Sequence, residues 1–252
     1  MRIDVLETPE LLGAKVAELA ARRLNEAIDL QGGARMLMST GASQFTTLEA
    51  LVKQDVKWEV VEVFHLDEYI GISTDHPASF VNYLKERVDS KVKLKAFHFV
   101  DVSIGVEQII EKLTGLINEK PVDVGLIGIG ENAHVAFNDP PADFDDLSSF
   151  KTVELDDACR RQQLGEGWFP TLEDVPRQAI TITVSQIMKC KCIISAVPFA
   201  VKAKAISDML SATEITPMVP ATILKTHPDY RLFLDKDSAS LTDAGILERY
   251  GI

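Results

Sequence analysis

Val122-Asp123-Val124-Gly125-Leu126-Ile127 runs directly into Gly128-Ile129-Gly130-Glu131-Asn132-Ala133-His134. A short, almost wholly apolar run stopped by glycines has the pattern of a strand covered on both faces. Working outward, residues 34–39 and 60–66 precede it as further strand candidates, and residues 192–197, also almost wholly apolar, and 231–234 follow it. Amphipathic stretches separate these runs. Leu11, Leu12, Val16, Leu19, Ala20, Leu24 and Ile28 recur at helical spacing until Gly32 and Gly33 stop the pattern. Further helical patterns occupy 46–52, 78–88, 106–117, 184–189 and 200–210. Strand and helix alternate throughout, which predicts an α/β fold: three layers, α/β/α, around a mostly parallel sheet.

Composition sets the outer limits. The chain has 252 residues, 46% hydrophobic and 25% charged, as an ordinary globular protein has. No repeat, low-complexity tract or flexible linker divides it, so residues 1–252 are expected to form one domain. Its 38 acidic and 26 basic residues give a net charge of −12. That balance argues against a broad nucleic-acid-binding face, although it leaves room for one local anion site. The opening MRIDVLETPE holds acids and no apolar core, so no secretory leader is expected, and no run is long enough to span a membrane. Three cysteines suit no disulfide framework, and a cytoplasmic location is the expectation.

In an open parallel sheet, ligands collect beyond the carboxyl ends of the strands. Four such ends are informative: Thr40-Gly41-Ala42-Ser43, Asp67-Glu68-Tyr69, Gly128 to His134, and Pro198 followed by Lys202. Thr40–Gly41–Ala42–Ser43 supplies small residues and free amides suited to an anion, with Ser43 either donating its hydroxyl or capping the helix. Gly128-Ile129-Gly130-Glu131-Asn132-Ala133 matches G-x-G-x-x-A, but Pro140-Pro141 interrupts the long helix that a dinucleotide site needs. Its glycines instead permit close approach of a substrate. His134 can exchange a proton near neutrality, with Asp139 able to orient it. Lys202 can meet a phosphate as a point charge, with Lys204 its surface neighbour. Arg160 and Arg161 either face a phosphate or neutralise Asp156 and Asp157. Cys190 and Cys192 have no partners at zinc-ligand spacing, and His76-Pro77 has the form of a helix start.

Taken in order, these motifs resemble the glucosamine-6-phosphate deaminase (isomerase) family over about residues 34–235. Ser39-Thr40-Gly41-Ala42-Ser43 resembles its phosphate loop. Phe64-His65-Leu66-Asp67-Glu68-Tyr69-Ile70-Gly71 resembles its Asp-Glu-Tyr segment, and His134-Val135-Ala136-Phe137-Asn138-Asp139-Pro140 its catalytic loop. Lys202-Ala203 resembles the lysine region, and Ala221 to Pro228 the late helix. The resemblance implies a sheet shared with lactonase, ribose-phosphate isomerase and CoA-transferase-like folds. It also implies a reaction in which a phosphorylated amino sugar, glucosamine 6-phosphate, and water give fructose 6-phosphate and ammonia, with no metal or organic cofactor. By carry-over, Asp67 is the base at C2, and His134 with Asp139 and Asn132 opens the ring. Thr40, Gly41, Ala42, Ser43, Glu68, Gly130, Lys202 and Arg161 are then expected to bind substrate.

This chain departs from the family pattern in having Asn132 for Asp, Ala133 for Gly and Asp139 for Glu. Gln163 stands near where many members place a basic phosphate ligand, and Lys151 is one remnant of the effector region of regulated members. Two other readings compete. A 6-phosphogluconolactonase-like hydrolase resembles its relatives by Asp-Glu-Arg and Ala-Ser-Leu runs, where this chain has Asp67-Glu68-Tyr69 and Ala136-Phe137-Asn138. A sugar-phosphate sensor without catalysis is suggested by Asn132 and Ala133. The gluco and galacto epimers, and a homo-oligomeric assembly, stay open.

Overall fold

The computed structural model describes residues 1–165 and 167–250. Its strands, in chain order, are β1 (Arg2–Leu6), β2 (Ala34–Met38), β3 (Val61–His65), β4 (Asp67–Ile70), β5 (Ala96–His98), β6 (Val124–Leu126), β7 (Phe150–Glu154), β8 (Gln178–Ile182), β9 (Cys192–Val197) and β10 (Tyr230–Asp235). Seven of them form one sheet in the order β1-β10-β9-β6-β2-β3-β5, with every neighbouring pair parallel. The other three form a small antiparallel sheet, β4-β8-β7.

Alternation along the central strands divides the core between two helix layers. Met36, Met38, Val61, Val63, Val124, Leu126, Ile194 and Ala196 point to one face, where Leu12, Val16, Ala20 and Leu24 of the helix Pro9–Gln31 meet them. Leu37, Phe64, Ile193 and Val197 point to the other, against Ile109, Leu113 and Ile117 of the helix Val106–Asn118 and Ile206 and Met209 of the helix Ala203–Ser211. Side chains of successive strand residues face opposite ways, so two covered faces require a continuous apolar run. The three-layer arrangement follows. The long first helix begins where the Thr8 side chain accepts from the Leu11 amide, and ends at Gly32 in the left-handed region, φ 79°.

Several expected elements differ in detail. The segment Asp67-Glu68-Tyr69 is a strand, because the chain leaves the large sheet at Leu66 and pairs at once with β8, Asp67 opposite Thr181. The helical pattern at 78–88 divides into an α-helix, Phe80–Leu84, and a π turn, Lys85–Asp89. The pattern at 200–210 opens as a 3-10 turn, Ala200–Lys202, before its α-helix. The late segment Pro220–Thr226 is wholly 3-10. Among the described residues no helix is long and apolar enough to cross a membrane.

Candidate active site

The carboxyl ends of β2, β3, β6 and β9 meet around a cavity of about 220 Å³. Thr40, Gly41, Ala42 and Ser43 line one part of it, Asp67 another, Gly128 to Glu131 with His134 a third, and Phe199, Val201 and Lys202 a fourth. The four segments singled out by sequence position therefore share one hollow. Among the described lining residues, Lys202 is the one lysine or arginine.

Asp67 is 7% exposed. Burial, helped by the neighbouring Glu68 charge, pushes its carboxyl from 3.8 up to about 8. An ordinary carboxylate is too weak a base for carbon acids near neutrality; desolvation raises its proton affinity toward the working pH. Glu68 points elsewhere. Its carboxylate accepts from the Ser79 hydroxyl at 2.7 Å, the Val81 amide at 2.8 Å and the Tyr69 amide at 2.9 Å. Burial raises this carboxyl too, opposed by those donors. Glu68, expected to bind substrate, thus tethers the helix Phe80–Leu84 to β4 and does not line the cavity. Strand alternation is the reason: neighbours in β4 face opposite sides.

His134 belongs to a tight loop. The Gly130 amide donates to the His134 carbonyl at 2.9 Å, and the Ala133 amide to the Gly130 carbonyl at 3.1 Å. Ala133 stands at φ 64° and Ala136 at φ 51°, left-handed positions that an L residue holds at a cost. The imidazole lies over Gly130, where an added Cβ would fall 2.2 Å from Nε2. Only a residue without a side chain leaves the ring that place. Nδ1 sits 3.0 Å from Oδ1 of Asp139. The same oxygen accepts from the Asn132 side-chain amide at 2.8 Å, and the Asn132 side-chain oxygen accepts from the His134 amide at 3.1 Å. Burial drives the Asp139 carboxyl upward, but the His134 ring and the Asn132 amide outweigh it and hold it below its usual range. Asn132 and Asp139 do not line the cavity; they hold His134 from behind.

Ser43 does not cap a helix. Its hydroxyl accepts from the Gln44 side chain at 3.0 Å, while Gln44 also reaches the Ala196 carbonyl at 3.1 Å and so ties this loop to β9. The loop closes through a 3-10 turn, Ala42–Gln44, which precedes the helix Phe45–Leu51. Neither arginine enters the cavity. Arg161, expected to bind substrate, is exposed, 3.9 Å from Asp157 and outside the cavity lining. Arg160 is buried, but its guanidinium braces the 172–175 turn through the Leu172 and Val175 carbonyls. Lys204 pairs with Asp208 on the surface, and Lys151 with Asp146. The three cysteines are buried, and among the described residues no cluster of three metal-ligating side chains occurs.

The cavity has lining residues beyond those expected to react with or bind substrate. Ser39 ends the apolar run of β2 with a buried hydroxyl that has no hydrogen-bond partner, and it faces the cavity. Phe80 and Phe137 supply apolar wall, and Glu131 a carboxylate beside the histidine loop. Gln163 also lines it, its side-chain oxygen accepting from the Tyr69 hydroxyl at 2.5 Å.

The family model described as glucosamine-6-phosphate isomerases/6-phosphogluconolactonase matches residues 7–232. A glucosamine-6-phosphate deaminase from Exiguobacterium sibiricum is 34% identical over 205 residues, 81% of this chain and 79% of that protein. The solved structure of a monomeric glucosamine-6-phosphate deaminase superposes with a TM-score of 0.86 at 25% identity, covering 96% of this chain and 100% of the other. A 6-phosphogluconolactonase from Thermotoga maritima superposes with a TM-score of 0.77 at 18% identity, over 93% and 99% of the two chains. That last likeness is one of fold.

Proposed function

Since the chain belongs to the glucosamine-6-phosphate isomerase/6-phosphogluconolactonase family, we propose that it is a glucosamine-6-phosphate deaminase, converting glucosamine 6-phosphate and water to fructose 6-phosphate and ammonia. One observation carries this reading: a buried carboxyl titrating at about 8, a histidine paired with a carboxylate, and a lysine beside a small-residue loop all border one cavity.

Each feature answers a chemical need. The phosphate rests against the Thr40–Ser43 loop and Lys202, and that remote grip orients the reacting carbons. His134, kept in position by Asp139, takes the proton of the anomeric hydroxyl and returns one to the ring oxygen, opening the ring. Asp67 then removes the proton from C2, which the C1 carbonyl acidifies, and delivers it to C1. The amino group becomes a C2 iminium, water adds there, and ammonia leaves. Atoms balance without an oxidant or a metal.

Asn132 bears on the choice between enzyme and sensor. Its amide donates to Asp139 and supports that carboxylate's charge, so the departure from the family's Asp leaves the histidine pair assembled. Lactone hydrolysis is less well supported. Where the lactonase pattern has Arg, this chain has Tyr69, 1% exposed and packed among Phe80, Phe137 and Phe169. Incubation with glucosamine 6-phosphate, its galacto epimer and 6-phosphogluconolactone decides the matter. Ammonia and fructose 6-phosphate in equal amounts support a deaminase; acid release from the lactone alone, or binding without any product, refutes it.

A further inference from the structure

Beside Lys202 the cavity wall carries Phe199, whose backbone stands at φ 82°, ψ 142°. That region is essentially reserved for glycine. Two hydrogen bonds hold it there. The Phe199 amide donates to Oδ2 of Asp235 at 2.9 Å, and the Phe199 carbonyl accepts from the Lys202 amide at 3.0 Å. Asp235 is 1% exposed and is itself fixed by the Ser238 amide at 2.7 Å. The turn therefore sets where the Lys202 backbone begins, and glycine would make the same bonds without strain.

The side chain is only partly covered by the fold. Phe199 is 37% exposed and Val201 is 55% exposed, so neither is buried in a core, yet both line the cavity. Strained backbone clusters at ligand-binding sites, and here it presents a large apolar side chain to the cavity. We infer that Phe199 is an affinity-determining residue of this site: its ring, with Val201, covers the Lys202 end of a bound hexose phosphate and keeps water from the lysine–phosphate pair. The inference rests on the phosphosugar reading of the cavity. Excluding water lowers the local dielectric and strengthens that ion pair, and it also reduces screening by salt.

Two variants separate the ring from the strain. Phe199→Ala removes the ring and keeps a Cβ at positive φ; Phe199→Gly removes both. Both variants are expected to raise KM for glucosamine 6-phosphate about tenfold with kcat within about threefold, and to make KM more salt-dependent. The glycine variant melts at a higher temperature than the alanine variant. Titration calorimetry with glucose 6-phosphate on the same three proteins reads the same wall without turnover, so an inactive wild type refutes the deaminase reading and leaves this one measurable. Unchanged affinity and salt dependence in both variants, or a glycine variant no more stable than the alanine variant, overturns it.

Discussion

Replacing Asp67 with asparagine tests burial and chemistry together. In the folded chain burial lifts this carboxyl from 3.8 to about 8. Between those values the native state holds a proton that the unfolded chain has released, so this residue's contribution to stability falls as pH rises from about 4 to about 8. At pH 7 the gap from 3.8 is just over three pH units; at about 1.4 kcal/mol each, the cost is on the order of 4 kcal/mol. Asparagine has nearly the same shape and never ionises. Asp67→Asn is therefore expected to melt higher than wild type by about 5 °C or more at pH 8, using roughly 2–4 °C per kcal/mol for a chain of this size. The gain shrinks toward zero as pH falls below 3.8, where the unfolded wild type becomes protonated as the folded one already is. The same variant loses at least about 1,000-fold in kcat, because the base is gone, while affinity for a hexose phosphate persists. Differential scanning fluorimetry across pH, with kinetics on the same preparations, reads both. A variant no more stable at pH 8 than wild type, or a gain that does not depend on pH, refutes the reasoning.

For the wild type, kcat/KM should rise with pH through about 8 as Asp67 ionises; a profile flat between 6 and 9 removes Asp67 as the base. Gly130→Ala puts a Cβ 2.2 Å from Nε2 of His134 and so displaces the ring; kcat should fall about 100-fold with KM little changed. Asn132→Asp sets a second carboxylate 2.8 Å from Asp139, and the two then share a proton. Its activity profile should move to higher pH, and an unmoved profile shows that Asn132 does not act on the pair. Lys202→Ala should raise KM about 10-fold or more while kcat changes less, and an unchanged KM takes the lysine out of the site.

Much of the frame was legible because burial on both faces leaves a plain mark. Cys192–Val197, nearly wholly apolar, was delimited to the residue, and β2 and β3, each with a charged residue in an otherwise buried run, to within one. The edge strand β1 was not, because Arg2 and Asp4 break the run where one face is open. The small sheet escaped for another reason: Asp67 pairs with Thr181, more than a hundred residues away, and nothing local announces that partner. The placement of Glu68 away from the cavity follows from that pairing. Once residues 67–70 are a strand, only one of two adjacent acids can face the cavity. At the helix Asp157–Gly165, one residue of rotation separates buried Arg160 from exposed Arg161, and neither position in the sequence says which way the helix turns. The converging turns, by contrast, were legible from topology, since strand ends of a parallel sheet share one edge. Phe199 was invisible, because backbone strain leaves no pattern in sequence.

The transfer of one proton between neighbouring carbons is the heart of the proposed mechanism. Glucosamine 6-phosphate deuterated at C2, turned over by the wild type and followed by NMR, tests it directly. The account predicts slowed ammonia release relative to unlabelled substrate and some deuterium retained at C1 of the fructose 6-phosphate formed, with neither product from Asp67→Asn. Ammonia released at the same rate from both substrates with deuterium still at C2, or full turnover by Asp67→Asn, contradicts it.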